Sequence, residues 1–555
     1  MYIKKVKIQN FKCFKNFELD LNKNINIIVG NNESGKSTLL EAIHLALTGV
    51  LDGKYLKNEI NPYLFNMETT REYINSVNSK SIPPPMIIIE LYFDEQNGKS
   101  ELSGDGNIGN IDATGISFKI LFNDDYKDEY SEFINSPNIS IIPIEFYKIE
   151  VCSFARERIS YKNIPIKSIL IDSSSNKLKN GSDMYLSYVI NNSLTNEERI
   201  AISNAHIKIK SAFIENESIK NINNRMFNNK FNLSKKQIEL SVDFLHNNWE
   251  NTLMTYIEDI PFQYIGKGEQ CYIKTNIALL QDKAKDASLI LLEEPESHLS
   301  HSKLNSLLKN IEDNINNNEH AENKQIIIST HSSFVANKMS LNNIIIIDSK
   351  DKAIHFNKLA EDTFNFFKKA AGYDTLRLIL SKKSVLVEGA SDELIFQKAY
   401  KDKNNKLPIE NEIEVISVGT SFLRYLELSE KLNKKIIIIT DNDGKPEKLK
   451  EKYKIYIDNP NIKICYEEKV NNKSDFDLSE GDNNIKNIDT LEPNLLKVNN
   501  TELFNKIFET KFKDKKELLK YMVENKVECA LKIFDYTSNI NYPNYINEAV
   551  NECEK

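Results

Sequence analysis

The sequence predicts an α/β protein of two or three domains, and three observations support this fold class. Its 555 residues are several times the length of a typical domain, so the chain can form more than one core. Hydrophobic residues make up 40% of the chain and charged residues 27%, which is ordinary for a folded globular protein. Short apolar runs, typical of buried parallel strands, alternate with helical patterns. Most of the chain is therefore expected to fold.

Charge and cysteine content exclude several classes of protein. The 72 Lys and Arg residues against 80 Asp and Glu residues give a net charge of −8, which argues against a histone-like basic coat but permits a local basic groove. The six cysteines form no CxxC pair, so neither a zinc ribbon nor a disulfide framework is expected. No apolar run reaches the roughly 18 residues that span a bilayer. We expect a cytoplasmic protein that does not bind a membrane.

The predicted elements follow one another in a clear order. Residues 1–30 contain two or three strands, and a helix follows at once. Thr195 and Glu198 form a predicted capping box at the start of a helical stretch near 180–255. Strand patterns return at 288–296, 324–330 and 342–349, and a fresh α/β pattern has strands at 383–389, 413–419 and 434–444. The second pattern predicts a separate C-terminal domain.

A glycine-rich loop follows the third predicted strand. Its sequence, GNNESGKS, matches the phosphate-loop pattern GxxxxGK[ST] and lies between an apolar strand and a helix. Backbone N–H groups of such a loop cradle phosphates, Lys36 can reach the β- and γ-phosphates, and the Ser37 hydroxyl can bind Mg2+. An ordinary strand-to-helix turn is the alternative for this motif alone. The predicted nucleotide-binding residues are Gly30, Asn31, Asn32, Glu33, Ser34, Gly35, Lys36, Ser37 and Thr38.

Three further motifs follow in the order expected for a nucleotide-hydrolysing domain. The segment GKGEQ occupies residues 266–270. Glu293 and Glu294 end an apolar strand, where the first carboxylate can hold Mg2+ and the second can polarise the attacking water. His331 follows another apolar run and is placed to sense the γ-phosphate. A solvated strand end and a turn are the alternative interpretations for these acids and this histidine.

Together these motifs resemble the ATP-binding-cassette (ABC) head of the SMC/RecF type over roughly residues 1–70 and 260–350. The resemblance implies that Gly266, Gly268 and Gln270 bind the γ-phosphate held by a second subunit, so two heads must meet. The sequence departs from SMC proteins because no sustained heptad repeat separates the phosphate loop from GKGEQ. A long coiled coil is therefore excluded.

A second set of acidic residues lies in the predicted C-terminal domain. Glu388 ends one apolar strand and Asp392 follows four residues later, whereas Asp441 and Asp443 follow a second apolar strand. In a parallel sheet both strand ends lie on the carboxyl edge, so these side chains can converge on one crevice. Crowded carboxylates repel unless cations lie between them, and oxygen ligands favour Mg2+ or Mn2+. Two metal ions there could activate water and stabilise the leaving oxygen in phosphodiester cleavage.

The motifs VEGxxD and DxDG resemble the TOPRIM domain of topoisomerases, primases and certain nucleases, over about residues 380–450. The segments TLE, which ends at Glu492, and KVECAL, which begins at Lys526, resemble downstream elements of the OLD-family (overcoming lysogenisation defect) nucleases. A surface acid is the alternative for Glu492, and Lys532 is a rival for Lys526. The resemblance implies a charge-stabilising role for Lys526 and metal binding by Glu388, Asp392, Asp441, Asp443 and Glu492.

An ABC head followed by a TOPRIM domain resembles the OLD-family endonucleases, which include the nuclease subunit of the Gabija anti-phage system. This resemblance implies a metal-dependent DNA endonuclease of anti-phage defence that cuts double-stranded DNA under the control of ATP bound in the head. It also implies a homodimer or higher homo-oligomer, with a UvrD-like helicase as a candidate partner. The alternative is an SMC/RecF-like DNA-binding ATPase whose TOPRIM domain is a non-catalytic docking module.

The implied organisation divides the chain into five segments. Residues 1–180 form the first part of the head, 181–255 a helical insertion that contributes to dimerisation, 256–360 the second part of the head, 361–380 a linker helix and 381–555 the TOPRIM domain.

Three weaker features have structural alternatives. His298 and His301 are interpreted as a head-to-head contact rather than a metal pair. Basic runs within 220–236 and 445–454 are candidates for contacts with DNA phosphates, and solvated helix faces are at least an equal alternative. Three further acids are interpreted as loop residues: Asp475, Asp477 and Asp482.

Overall fold

The protein is described from a computed structural model, which groups the chain into two compact units. The first unit contains Met1–Ile25 and Ser37–Ser329, and the second contains Asn26–Lys36 and Thr330–Lys555. The residues that the structure describes are 1–56, 60–76, 83–94, 100–134, 141–172, 178–179, 182–183, 194–228, 255–280, 288–317, 324–339, 341–349, 352–355, 360–369, 375–478 and 487–554.

The strands are numbered β1 to β22 along the described chain. The longer ones are rich in isoleucine, valine and aromatic residues, which fit a pleated, half-buried surface. Their bounds are β1 Ile3–Phe11, β2 Phe14–Asp20, β3 Ile25–Gly30, β4 Val50–Leu51, β5 Lys54–Tyr55, β6 Ile87–Phe93, β7 Ser103–Gly104, β8 Ala113–Phe122, β9 Tyr147–Ser153, β10 Ser168–Asp172, β11 Leu178–Lys179, β12 Ser182–Asp183, β13 Tyr256–Ile257, β14 Ile260–Pro261, β15 Leu289–Glu293, β16 Gln325–Ser329, β17 Ile344–Ser349, β18 Lys352–His355, β19 Lys383–Val387, β20 Ile413–Ser417, β21 Lys435–Ile439 and β22 Ile462–Cys465.

The α-helices are numbered in the same way, and each of the two units contains several. Their bounds are α1 Lys36–Thr48, α2 Met67–Ser76, α3 Lys127–Ile134, α4 Asn196–Glu215, α5 Glu217–Asn228, α6 Lys267–Leu280, α7 His301–Asn317, α8 Ser333–Lys338, α9 Glu361–Lys369, α10 Thr375–Leu380, α11 Ala390–Asn404, α12 Phe422–Leu432, α13 Pro446–Lys452, α14 Leu491–Val498, α15 Thr501–Phe508, α16 Lys515–Glu524, α17 Lys526–Asp535 and α18 Asn544–Glu554. No helix among the described residues is long and apolar enough to cross a membrane.

The first unit contains an antiparallel sheet and a group of parallel strands. The antiparallel sheet has the order β2-β1-β6-β8-β7, with β9 also paired to β8. Its register places Val6 opposite Leu19 on one side and Leu91 on the other, so apolar side chains stack across the strands. Strands β10, β15 and β16 pair in parallel, and this register brings Asp172 level with Glu293. The strands predicted at 288–296 and 324–330 are thus confirmed.

The predicted helical insertion is described only in part. Thr195 caps α4 as predicted, because its hydroxyl accepts the Glu198 N–H at 3.2 Å while the Glu198 carboxylate accepts the Thr195 N–H at 2.7 Å. Lys220 and Arg225 of the first basic run lie on α5. The rest of that run, at 230–236, lies outside the described residues, as does Asp482.

The second unit contains two groups of strands. In the first, β3 pairs in parallel with β17, which pairs antiparallel with β18. The other is a fully parallel four-stranded sheet with the order β20-β19-β21-β22. The predicted α/β class is therefore confirmed, and so is the parallel sheet predicted for the C-terminal domain. The stretch predicted as one linker helix at 361–380 contains the two helices α9 and α10.

One hydrophobic core supports the four-stranded sheet. Helices α11 and α14 to α18 contribute buried side chains to it, together with inward-facing residues of the strands. Val385 and Ile437 are fully buried in this core, on β19 and β21. The strand ends that follow them are thereby held on a rigid support, which is how α/β folds position their functional groups.

Candidate functional site

The carboxyl edge of the four-stranded sheet brings two of the predicted acidic motifs together. Strands β19 and β21 are direct neighbours, and Leu386 pairs with Ile438. Glu388 and Asp441 therefore leave the sheet side by side. The Thr440 hydroxyl donates to Glu388 Oε1 at 2.6 Å, and the Asp441 N–H donates to the same oxygen at 3.2 Å. These two bonds tie the Glu388 carboxylate to the loop that carries Asp441.

Asp392 lies beside Glu388 at the start of α11. Its Oδ2 accepts the Gly389 N–H at 3.2 Å, so the carboxylate also helps to begin the helix. Burial raises the pKa of Asp392 to about 7, and the charges of Glu388 and Glu492 add to this effect. Asp392 is thus close to both residues, which come from different parts of the chain.

Asp441 completes a group of four mutually repelling carboxylates. Burial raises its pKa well above the usual value, and Asp392, Glu388 and Glu492 raise it further, whereas Lys526 lowers it. The structure therefore brings together Glu388, Asp392, Asp441 and Glu492, as the sequence predicted. We call these four residues the carboxylate cluster.

Lys526 lies against this cluster, and Lys532 does not. Lys526 Nζ is 3.1 Å from Glu492 Oε2. Burial lowers the pKa of Lys526, but the charge and hydrogen bond of Glu492 and the charges of Asp441 and Asp392 outweigh it, so the pKa is raised overall. Lys532 instead lies 3.3 Å from Glu528, one turn away on the same helix. The geometry favours Lys526 as the cation of the site.

Asp443 differs from the other predicted ligands. It is exposed and adopts a left-handed conformation with φ of 49°, and its Oδ1 accepts a hydrogen bond from Asn487 at 2.6 Å. Its role as a metal ligand stays a prediction. The carboxylate beneath this loop is Asp489, which is buried and accepts the Asn471 N–H at 2.7 Å.

Asp489 is a candidate that the sequence motifs missed. Its Oδ2 lies 3.0 Å from the point where a Cβ on Gly444 would stand, so any side chain at this glycine would press on the carboxylate. The φ of Gly444 is +70°, which also favours glycine. The only sequence feature that could have indicated Asp489 is its position three residues before Glu492, but many loop acids have such spacing.

The structure also describes two of the acids that were predicted to be loop residues. Asp475 lies 3.7 Å from Lys497, and Asp477 ends a short turn.

Two buried tyrosines are electrostatically coupled to the carboxylate cluster. Burial raises the pKa of Tyr545, as do the charges of Asp441, Asp392 and Glu492. Burial also raises the pKa of Tyr453, with a contribution from Glu388. Within the described part of the chain, neither hydroxyl has a hydrogen-bond partner of normal geometry.

The donor chemistry of the cluster fits Mg2+ or Mn2+, because all four side chains offer carboxylate oxygens. No three His, Cys, Asp or Glu side chains in the described part of the chain are grouped closely enough to form a ready-made metal cage. Charges influence one another over longer distances than the metal–ligand bonds of about 2.0–2.6 Å. The four carboxylates can therefore be electrostatically coupled without already forming a metal cage. Metal binding would require the carboxylates to turn inward.

The phosphate loop in the second unit is shaped by close packing. A Cβ on Gly30 would stand 2.5 Å from the Ser34 hydroxyl and 2.7 Å from the Ile347 carbonyl, so only glycine fits. Gly35 has a φ of 102°, which again favours glycine. Lys36 Nζ donates to the carbonyls of Gly30 at 3.0 Å and Asn31 at 3.1 Å, so it lies folded over the loop.

The acidic pair of the first unit lies at the end of β15. Burial raises the pKa of Glu293, the Ser37 hydroxyl lowers it, and Asp172, Glu41 and Glu294 raise it. The contact between Ser37 and Glu293 joins the two predicted Mg2+ ligands of the nucleotide site. Glu294 has a φ of 41°, and its Oε2 accepts the Ser297 hydroxyl at 3.1 Å.

The GKGEQ segment begins α6, where Gly268 packs tightly. A Cβ on Gly268 would stand 2.1 Å from the His298 carbonyl, so this glycine permits contact with the loop after the acidic pair. The Gln270 amide donates to the carbonyls of Phe262 at 3.0 Å and Ile265 at 2.7 Å. Gln270 therefore supports its own loop. Its contact with a second subunit's nucleotide stays a prediction, as does the switch role of His331, which follows β16.

Two ranges of the chain match known protein families, one in each of the two candidate sites. Residues 1–80 match the family described as "AAA ATPase domain", and residues 379–443 match "Overcoming lysogenization defect protein-like, TOPRIM domain". The second match contains Glu388, Asp392, Asp441 and Asp443. The resemblances predicted from the motifs are therefore confirmed for these two ranges. The chain carries an ATPase domain and an OLD-like TOPRIM domain.

Several characterised proteins are similar to much of the chain. An ATP/GTP phosphatase of Helicobacter pylori is 26% identical over 357 residues, or 60% of this chain and 85% of that protein. Endonuclease GajA of Bacillus cereus is 24% identical over 540 residues, or 80% of this chain and 77% of that protein. A solved structure of the recombination mediator RecF with ATP is 13% identical, with a TM-score of 0.30, and covers 65% of this chain and 98% of that chain.

Proposed function

We propose that this protein is a metal-dependent DNA endonuclease of anti-phage defence whose activity is controlled by ATP in its ABC-type head. The observation that carries the proposal is the carboxylate cluster at the edge of the TOPRIM sheet, with Lys526 beside it. The similarity to endonuclease GajA over 80% of the chain supports the same activity. The proposed cofactors are Mg2+ or Mn2+ at the cluster, and ATP with Mg2+ at the phosphate loop.

The cluster residues have distinct roles in the proposed cleavage. Bound divalent cations would supply a water of lowered pKa and stabilise the leaving oxygen. The residues that would hold these cations are Glu388, Asp392, Asp441 and Glu492. Lys526 is positioned to stabilise negative charge on the phosphate under attack, because its ammonium group lies beside the cluster and is held by Glu492 at 3.1 Å.

The coupling between ATP and cleavage has a candidate route within the second unit. The side chain of Asn31, in the phosphate loop, donates to the Leu380 carbonyl at 3.2 Å. Leu380 ends α10, and β19 begins three residues later and leads directly to Glu388. A nucleotide that moves the loop would therefore pull on the strand that carries Glu388. Ligands that prefer different states of this contact would shift the population of active sites.

Plasmid cleavage tests the proposal. Supercoiled plasmid with Mg2+ or Mn2+ should be nicked or linearised by the wild-type protein and not by Glu388→Ala. The control is Glu430→Ala, which removes an exposed acid from α12 of the same domain and should cleave like the wild type. Chelation of the metal should stop cleavage by the wild type. Cleavage that survives both chelation and Glu388→Ala contradicts the proposal.

A second candidate is a nucleotide-hydrolysing DNA-binding protein whose TOPRIM domain only docks DNA. The similarity to an ATP/GTP phosphatase over 60% of the chain favours it. In that case the wild-type protein should bind DNA and hydrolyse ATP, Lys36→Ala should lose ATP hydrolysis, and no nicking should occur with any divalent metal.

Further partners are proposed for either candidate. We propose that two copies of the chain meet through their heads and the insertion at 181–255, and that a UvrD-like helicase is a candidate partner. Double-stranded DNA is the proposed substrate.

A further inference from the structure

A pocket of about 350 Å3 lies beside β22, the strand next to the one that leads to Asp441. Its walls come from α13 and the residues after it, from β22 and the loop that follows, and from the start of α18. Its volume falls within the range of about 300–1,000 Å3 that is typical of small-molecule sites. None of the roles proposed above uses this pocket.

The pocket and the carboxylate cluster are built on neighbouring strands of the same sheet. Ile439 pairs with Cys465, so Thr440 and Tyr466 leave the neighbouring strands β21 and β22 at the same level. Asn442 stands between the two aspartates of the DxDG motif and is buried. Its amide donates to the Glu467 carbonyl, in the pocket wall, at 2.5 Å. One hydrogen bond thus joins the loop of Asp441 to the wall of the pocket.

Two side chains connect the pocket with the cluster electrostatically. Tyr453 and Tyr545 line the pocket and are buried. Besides burial, the charge of Glu388 raises the pKa of Tyr453, and the charges of Asp441 and Asp392 raise that of Tyr545. Together with the hydrogen bond from Asn442, this links the pocket wall to the carboxylate cluster.

The chemistry of the lining suits a flat ligand with both donors and acceptors. Tyr466 offers a half-buried aromatic ring. Lys463 pairs with Glu548 at 2.6 Å, and Lys469 is exposed at the rim. The charged lining residues are balanced in sign, which suits a neutral heteroaromatic ring better than an isolated anion: Lys450, Lys463, Lys469, Glu467, Glu468 and Glu548.

We propose that this pocket holds one unstacked nucleotide of the substrate DNA strand, next to the phosphate that is cleaved. Its base stacks on Tyr466 and contacts the balanced charges, and Lys469 contacts a flanking phosphate. Enzymes that act on DNA commonly take a nucleotide out of the stack, and stacking on an aromatic side chain compensates the lost stacking energy. The inference rests on the proposed nuclease function, and it names the form of DNA that the site prefers.

Binding of a mononucleotide tests the pocket without relying on cleavage. The probe is deoxyadenosine monophosphate, detected by saturation-transfer NMR on the full chain, with Lys36→Ala in every protein so that the phosphate loop does not contribute. Tyr466→Ala should weaken binding about tenfold or more, whereas Tyr466→Phe should not. Lys469→Ala should weaken mononucleotide binding several-fold. Because Lys469 is exposed, this substitution should not disturb folding. The control is Tyr63→Ala, an exposed tyrosine of the first unit, which should not change binding.

The outcomes separate the pocket from the nuclease proposal. Glu388→Ala should bind the mononucleotide normally even though it does not cleave. In a DNA substrate with a mapped cut, one nucleotide at a time is replaced by an abasic nucleotide. The replacement should reduce cleavage by the wild type at one position only, and the same replacement should not change cleavage by Tyr466→Ala. Binding that is equal in the wild type, Tyr466→Ala and Lys469→Ala overturns the pocket inference. A wild-type protein that binds the mononucleotide but never cleaves DNA overturns only the nuclease proposal.

Discussion

The phosphate loop and the carboxylate cluster are both candidate sites for phosphate chemistry, yet the chain builds them in opposite ways. The loop is formed by consecutive residues from Gly30 to Ser37, and its shape depends on glycines that fit against neighbouring backbone atoms. The cluster joins residues from 388 to 492, with Lys526 beside them, and these residues come together only when the sheet and its helices have packed. Local geometry produces the first site, and tertiary packing produces the second.

The charged side chains interact favourably in one site and unfavourably in the other. In the phosphate loop, the Lys36 ammonium group donates to two backbone carbonyls, so its charge is stabilised without a ligand. In the cluster, burial raises the pKa of Asp392 and Asp441, and repulsion from the neighbouring carboxylates raises it further. Removal of one charge should therefore stabilise the cluster even as it abolishes function. Three predictions test this difference.

The largest expected effect concerns the two candidate lysines. Lys526→Ala should reduce the rate of plasmid nicking on the order of 100-fold, because it removes the cation beside the cluster. Lys532→Ala is the matched control on the same helix and should retain a rate close to that of the wild type, since its partner is Glu528. The rates are measured at saturating Mg2+. Equal losses in both variants would disprove the assignment of Lys526.

The second effect is a gain in stability. Without metal at pH 8, Asp392→Asn should raise the free energy of unfolding on the order of 2 kcal/mol, because the folded protein then no longer carries an ionised carboxylate whose pKa is raised to about 7. The gain should be complete above pH 7, shrink as the pH falls through 7, and vanish near pH 4, where the carboxyl is protonated in both states. Denaturant unfolding at several pH values measures it, with Glu430→Gln as the control. A loss of stability at pH 8 would show that burial and repulsion do not together destabilise the ionised carboxylate.

The smallest effect concerns the contact between the loop and α10. Asn31→Ala removes the hydrogen bond to Leu380, and the ratio of cleavage rates with and without ATP should move about fivefold toward one. ATP affinity is measured in parallel, so that weaker binding can be distinguished from weaker coupling. An unchanged ratio at saturating ATP would exclude this route.

Sequence patterns predicted the strands on both sides of the cluster, the capping box at Thr195 and the convergence of Glu388, Asp392 and Asp441, whereas Glu492 was implied only by the resemblance to the OLD-family nucleases. They succeeded because parallel strands of continuous apolar residues place their ends on one edge of a sheet. They did not find Asp489 or the tyrosines at 453 and 545, because a buried acid and a core aromatic residue have no spacing that distinguishes them. They also did not predict that Gln270 would donate to carbonyls of its own loop.

The amino-acid sequence by itself determined the α/β class and the phosphate-loop motif, and it predicted that Glu388, Asp392 and Asp441 converge, because these features depend on local pattern and on the order of strands. Tertiary structure alone decided which lysine lies at Glu492, that Asp443 is exposed, and that the loop of Asp441 is hydrogen-bonded to the wall of a pocket. These outcomes depend on the packing of segments that are distant along the chain, and on the balance between burial and charge at the edge of the sheet.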